Sequence, residues 1–252
     1  MAKKNLCIIQ ARTGSTRLPN KVLLKVKGLT LLEYEIRRIK MAKKVDKIVV
    51  ATTMKEADDK IENLCKRMEI SCFRGSEEDV LDRYWQCVQK YSEYENIIRI
   101  TSDCPLVDPR VIDETISFFE KNRFDYVANS LQATFPDGMD TEIFTRKSLE
   151  QAHKNAKLIS EREHVTLWMR ENRKFRKGNF SAEHNWEHFR LTVDNKEDFE
   201  VVKFLIENSP ITAGYLDYIS LLTKNPAIML KNAHIARNEG LLKALRSGCA
   251  IK

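Results

Sequence analysis

The chain has 252 residues and a mass of 29.4 kDa, enough for one large α/β domain, or a domain with a smaller lobe. Hydrophobic residues make up 42% and charged residues 31%, which excludes a disordered chain, and no stretch approaches the length of a membrane span. The net charge of +7 favours anionic partners, but the cations are scattered, and no basic stripe with interleaved aromatics points to RNA.

Met1-Ala2-Lys3-Lys4 leads into too short an apolar run for a secretory signal. Leu6-Cys7-Ile8-Ile9-Gln10 then reads as a buried strand, ending abruptly in the loop Ala11-Arg12-Thr13-Gly14-Ser15-Thr16-Arg17-Leu18-Pro19-Asn20-Lys21. The loop's backbone amides can turn into one concavity, and Gly14 has no side chain to block close approach. Arg12, Arg17 and Lys21 bring positive charge to an anion held there. A polyphosphate is the natural guest. An ordinary surface loop with solvated cations has the same composition, and neither the P-loop spacing nor the three-glycine dinucleotide fingerprint is present.

Leu32, Ile36 and Ile39 mark a helix, residues 46–53 a second strand, and 56–68 a charged helix with Ile61, Leu64 and Cys65 inward. Residues 70–73 form a short third strand. Ser76 and Asp79 can cap the helix that follows. Residues 96–101 are a fourth strand, ended by Ser102-Asp103-Cys104-Pro105-Leu106. Asp108-Pro109 opens a helix, and residues 126–129 are a fifth strand. Strands alternating with helices predict a doubly wound parallel sheet. Such a sheet binds ligands beyond the carboxyl ends of its strands, where the first loop and the Asp103 loop both belong.

The rhythm then changes. Phe135-Pro136-Asp137-Gly138 is a turn, 140–145 a strand, and Ser148 begins a helix. Residues 161–172 read as one helix, 173–187 as irregular, and 188–193 as a resumed strand leading through Asp194 into a helix at 196–208. Helical patterns recur at 216–222 and around 241–245. Within a single domain covering 1–252, residues 131–187 are expected to form an inserted lobe for acceptor binding or dimerisation. The six cysteines, at 7, 65, 72, 87, 104 and 249, have no metal-ligand spacing and read as reduced thiols of a cytoplasmic protein. His184 and His188 are four apart, but no third ligand accompanies them.

Two carboxylates draw notice. Asp103, just past a strand end and facing a cationic loop, can hold Mg²⁺ against phosphate oxygens, or can serve as a turn residue bonded to nearby backbone. Asp194 ends a strand and opens a helix, which it can cap together with Glu197.

The run Gln10-Ala11-Arg12-Thr13-Gly14-Ser15-Thr16-Arg17-Leu18-Pro19-Asn20-Lys21-Val22-Leu23 resembles the N-terminal signature of the CMP-sugar cytidylyltransferases, which include the CMP-Kdo and CMP-sialic acid synthetases. With its Gln-Ala-Arg and Arg-Leu-Pro-x-Lys it is most similar to the spore-coat polysaccharide branch. The middle Asp103 motif and Thr192-Val193-Asp194 follow in family order. Ser102 stands where that branch often has Gly, and Asn195-Lys196 where Thr-Pro is commoner.

The resemblance implies a Rossmann-like, glycosyltransferase-A type fold, with helices on both faces of a mostly parallel sheet. It implies transfer of CMP from CTP to an acceptor oxygen. Lys21, Arg12 and Asp103 take catalytic roles, and Asp103 and Asp194 bind Mg²⁺. Ala11, Arg12, Gly14, Ser15, Arg17, Lys21, Ser76, Arg83 and Thr101 bind the nucleotide. The acceptor is a small sugar, sugar acid or polyol, and the expected assembly is a homodimer without nucleic acid or membrane. Glu161-Arg162-Glu163-His164-Val165-Thr166 is similar to a segment of the same branch, as a charged helix face or an acceptor contact. Two alternatives stand beside this reading: a sugar transferase of the same fold, which would carry an Asp-x-Asp motif, and a non-enzymatic RNA-binding protein.

Overall fold

The computed structural model describes residues 3–237 and Glu239. Cys249 and the helical pattern around 241–245 lie outside the described residues. β1 (Asn5–Gln10) is an unbroken apolar run because both its faces are covered. Cys7 and Ile9 enter one hydrophobic cluster, Leu6 and Ile8 another. A hairpin of β2 (Lys25–Val26) and β3 (Leu29–Thr30) follows the cationic loop and leads into α1 (Leu31–Ile39). The Thr30 hydroxyl accepts from the Glu33 N–H, and the Glu33 carboxylate accepts from the Thr30 N–H, which fixes where α1 begins. The alternation continues through β4 (Lys47–Thr53), α2 (Asp59–Arg67), β5 (Ser71–Gly75), α3 (Val80–Gln89), β6 (Asn96–Thr101) and α4 (Pro109–Asn122). β5, β4, β1 and β6 lie side by side, all parallel. Their following loops therefore gather along one edge.

The second half completes the sheet with β7 (Tyr126–Ala128), β8 (Glu142–Thr145), α5 (Arg146–Asn155), α6 (Ile159–Glu163), α7 (Leu167–Glu171) and β9 (Lys177–Asn179). β8 inserts antiparallel between β6 and β7, and the full order is β5-β4-β1-β6-β8-β7-β9. The sheet is mostly parallel and carries helices, as the sequence predicts. α8 (Lys196–Glu207), α9 (Tyr215–Lys224) and α10 (Pro226–Met229) close the described chain. α8 and α9 build a third hydrophobic cluster with Leu106, Phe135, Leu191 and Val193.

Several local expectations are corrected. The parallel alternation does not extend to the fifth strand, β7, which pairs antiparallel with β8 and parallel with β9. The helix expected over 161–172 is two short helices, broken where fully buried Val165 takes φ 53°. The stretch 173–187 contains β9 at the sheet edge. Residues 188–193 form no strand. Asp137 and Arg190 make one isolated bridge, and the N–H groups of Leu191 and Val193 donate to the carbonyls of Asp137 and Asp103. An apolar alternation there reflects burial against loops, which a strand pattern does not distinguish from burial in a sheet.

Candidate active site

The cationic loop is held from beneath by a carboxylate absent from the sequence-based set. Asp58 Oδ1 accepts from the Thr13 N–H at 2.7 Å and from the Thr13 hydroxyl at 2.6 Å, while its other oxygen accepts from the Thr53 hydroxyl. Burial opposes ionisation of Asp58, but these donors keep its carboxyl below the usual range. The Asn20 N–H donates to the Thr13 carbonyl at 3.0 Å, and Asn20 takes φ 56°, closing the loop. Thr13 is thus occupied by the fold. Ala11 and Ser15 line the cleft that the loop borders. Among the described residues a Cβ built on Gly14 meets only Glu77 Oε1 at 3.5 Å, so none of them demands a glycine there.

Lys21 joins the two distant Asp motifs. Its Nζ donates to Asp194 Oδ1 at 2.9 Å, to the Val193 carbonyl at 2.8 Å and to Asp103 Oδ2 at 3.3 Å. Arg17 reaches the same Asp194 oxygen at 2.8 Å and Glu239 at 3.1 Å. Burial alone would raise the Asp103 carboxyl, but Lys21, with a hydrogen bond from Thr101, holds it at about 2. Burial would lower the Lys21 ammonium, but the two carboxylates keep it above its ordinary value.

Asp194 does not cap α8, which corrects one of its two sequence readings. Asn195 precedes the helix, and Asp198 accepts from the N–H groups of Asp194 and Asn195 at 3.0 Å each. The Asp194 side chain is turned toward cations instead. Its second oxygen accepts from Arg190 at 3.1 Å. Arg190 also grips Asp198 at 2.8 and 2.9 Å and Asp137 at 2.5 Å, so a buried ionic cluster orients Asp194.

Farther along the cleft, Arg12 lies 3.5 Å from Glu77 and is half-exposed. Arg83 is buried. Its Nη1 donates to the Ser76 carbonyl at 2.6 Å, while its Nε has no partner among the described residues. Ser76 does not line the cleft; its hydroxyl accepts from the Asp79 N–H at 3.0 Å. Lys21, Asp103, Asp194, Arg17 and Thr101 thus converge at one place, and Arg12 and Arg83 at a second, around Glu77.

The cleft holds about 1160 Å³ and opens along the carboxyl ends of β1, β5 and β6. Beside it lies a smaller cavity of about 230 Å³, lined by side chains from β6, β8, α7 and the Asp137 turn. Arg99 there pairs with Glu142 and donates from Nε to Gln10 Oε1 at 3.1 Å. Glu142 also accepts from Tyr126 and, at 2.7 Å, from Thr166. Burial opposes its charge, yet Arg99 and Arg170 hold the Glu142 carboxyl at about 2. Asp140 pairs with Arg237. The Arg170 guanidinium makes no hydrogen bond or ion pair with the described residues. Sequence reasoning left out Arg99 and Arg190, yet both are charges set within apolar runs, Ile97-Ile98-Arg99-Ile100 and Phe189-Arg190-Leu191. A buried charge requires a partner, and that was their legible signal.

Asp103 and Asp194 offer hard oxygen donors that converge on one ammonium, and such donors suit Mg²⁺. Among the described residues no group of three His, Cys, Asp or Glu side chains forms a metal centre. A Mg²⁺ ion here would take its remaining positions from water and phosphate oxygens, its usual habit. No helix among the described residues is long and apolar enough to cross a membrane.

Comparison with known proteins gives a consistent picture. A family model described as cytidylyltransferase matches residues 6–236. The spore coat polysaccharide biosynthesis protein SpsF of Bacillus subtilis is 36% identical over 235 residues, covering 88% of this chain and 95% of its own. A 3-deoxy-manno-octulosonate cytidylyltransferase of Chlamydia trachomatis is 30% identical over 148 residues, 56% of each chain. The solved structure of a cytidylyltransferase from Leptospira borgpetersenii superposes with a TM-score of 0.88 at 37% identity, covering 94% of this chain and all of that one.

Proposed function

Because the chain belongs to the cytidylyltransferase family, we propose that it moves CMP from CTP to a hydroxyl oxygen of a sugar or sugar acid and releases pyrophosphate. The observation that carries this reading is the convergence of Lys21, Asp103 and Asp194 where the large cleft meets the smaller cavity. The cleft takes the nucleotide and the smaller cavity the acceptor. A sugar transferase consuming a nucleotide sugar, weighed from the sequence, gives way to the family membership.

In this reading the loop amides and Arg12, Arg17 and Lys21 bind the triphosphate. Phosphoryl-type transfer asks the protein mainly for position and charge neutralisation. Lys21, fixed by two carboxylates and a carbonyl, is pre-set to meet negative charge growing on the α-phosphate. When bound on Asp103 and Asp194, Mg²⁺ supplies further neutralisation and polarises the phosphate. Arg83 borders the base and ribose end. Residues 131–187 supply the acceptor side through Asp137, Asp140, Glu142 and Arg170. Every carboxylate lining that cavity has an ion-pair partner other than Arg170, so the Arg170 guanidinium, which feels Glu142 without pairing with it, is left to hold an acidic group of the acceptor.

Thermal shift with Mg²⁺ and each of the four nucleoside triphosphates tests the nucleotide half. CTP should raise the melting temperature most, because a ligand bound only by the native state stabilises it by mass action. Equal shifts with all four would leave a phosphate loop without a cytidylyltransferase. Pyrophosphate release with CTP across a panel of neutral and acidic sugars tests the acceptor half, and Arg170→Met should raise the KM of an acidic acceptor alone.

A further inference from the structure

We propose that His164 takes the proton from the acceptor hydroxyl as that oxygen attacks the α-phosphorus of CTP. This rests on the cytidylyltransferase reading and adds a catalytic residue to it.

Six residues line both cavities: Gln10, Arg17, Thr101, Asp103, His164 and Asp194. An acceptor oxygen passing to the nucleotide must cross that boundary, so its proton is given up there. Five of the six are poorly suited to receive it. Arg17 has no acceptor atom. Gln10 Oε1 is occupied by Arg99. Thr101 has only a weakly basic hydroxyl, and Asp103 and Asp194 are engaged by Lys21 and Arg17. The imidazole of His164 is left, and a neutral imidazole is the usual base near pH 7.

Two local features favour the role. His164 Nε2 is covered and makes no hydrogen bond with any described residue. Nε2 is therefore closed to both cavities, and Nδ1, the ring nitrogen that is not covered, is the atom that receives the acceptor proton. The backbone beside it is also strained. Val165 is β-branched, fully buried and held at φ 53°, a conformation that such residues rarely adopt. That kink separates α6 from α7 and sets His164 in the wall of both cavities. Thr166 fixes the kink by donating to Glu142 at 2.7 Å.

The surroundings keep the ring uncharged. Burial acts first, and Arg99 of β6 and Arg170 of α7 add to it. Glu163 at the end of α6 and Glu142 of β8 oppose them. The result lies below the ordinary histidine value. In the step itself the acceptor O–H bond breaks and its proton passes to the imidazole, while the freed electron pair forms the new O–Pα bond. The bond from Pα to the bridging oxygen breaks, and pyrophosphate leaves with that pair. The imidazolium then returns its proton to water.

The test compares wild type with His164→Gln and His164→Asn in the full chain with Mg²⁺. Both variants should keep the CTP thermal shift of wild type, since the ring serves the acceptor step. With 3-deoxy-manno-octulosonate and a panel of sugar acids and polyols as probes, kcat should fall roughly 10²–10⁴-fold, the usual worth of general-base catalysis. The acid limb of the wild-type pH–rate profile should vanish with it. Turnover within threefold of wild type, or an acid limb that persists unchanged, overturns the proposal. The nitrogen NMR signals of the His164 ring, assigned by their loss in His164→Gln, give a second readout. They should shift when 3-deoxy-manno-octulosonate or another panel member joins the CTP complex, and a ring indifferent to every probe overturns the proposal even if no probe turns over. Failure of CTP to stabilise any of the three proteins would instead sink the cytidylyltransferase reading.

Discussion

The Val193 N–H donates to the Asp103 carbonyl at 2.8 Å, and the neighbouring Thr192 hydroxyl reaches the same oxygen at 2.9 Å. This main-chain seam joins two segments far apart in sequence, and the Asp103 and Asp194 carboxylates emerge from it toward one ammonium. Their positions are therefore set by backbone rather than by the charges themselves.

Asp103→Asn and Asp194→Asn should each cut turnover about 100-fold or more, with melting temperatures within a few degrees of wild type. Neither side chain caps a helix, and Arg190 keeps Asp137 and Asp198 when Asp194 loses its charge. The double variant should be scarcely slower than either single, because residues that act as a unit are not additive. Pyrophosphate release across a Mg²⁺ titration checks this. Near-normal activity for Asp194→Asn at low Mg²⁺ would leave Asp103 without its proposed partner.

Lys21→Ala should lower kcat more than it raises the KM for CTP. An interaction that strengthens only as charge builds in the transition state acts on rate. The same change removes the cation that holds Asp103 at about 2, so the Asp103 carboxyl should titrate higher, as carbonyl NMR can show. A variant with altered KM alone would make Lys21 a uniform binding residue.

Gly14→Ala and Gly138→Ala should behave oppositely. The Gly14 site has room for a methyl group, so melting should change little while CTP affinity falls, because the space serves the guest. A Cβ on Gly138, at φ 102°, would stand 2.6 Å from the Leu191 carbonyl carbon, so this variant should unfold far more easily. Unchanged CTP affinity in Gly14→Ala would mean that no ligand approaches that glycine.

The charge network of Arg99 and Glu142 should be visible in acid. Glu142 titrates near 4.5 unfolded and at about 2 folded, so its ionisation stabilises the fold above pH 4.5. That contribution is lost as pH falls from there through 2, on the order of 3 kcal/mol. Urea unfolding at pH 7, 4 and 2.5 should show a smaller decline for Glu142→Gln than for wild type. At pH 7 that variant should already be weaker by roughly 3–5 kcal/mol, since it leaves Arg99 buried without its partner. A parallel decline in both proteins would remove Glu142 from the account.

The sequence by itself determined the alternation of strands and helices through residue 122, the cationic loop after β1, and the two aspartates that follow it in order. These are short-range properties: period, capping and the placement of charge beside a strand end. The capping of α4 by Asp108 and of α3 by Asp79 falls in the same class. Only the tertiary structure decided the rest. Whether residues 188–193 pair as a strand depends on what lies beside them, and here it is the Asp103 loop, not a sheet edge. β8 enters between β6 and β7 through long-range antiparallel pairings that no local pattern encodes. Asp194 serves Lys21 instead of a helix cap because Asp198, one turn later, already accepts from the N–H groups at the start of α8. Arg99 likewise finds Gln10 and Glu142, and Arg190 finds Asp137, on distant elements, and burial makes each of those contacts matter.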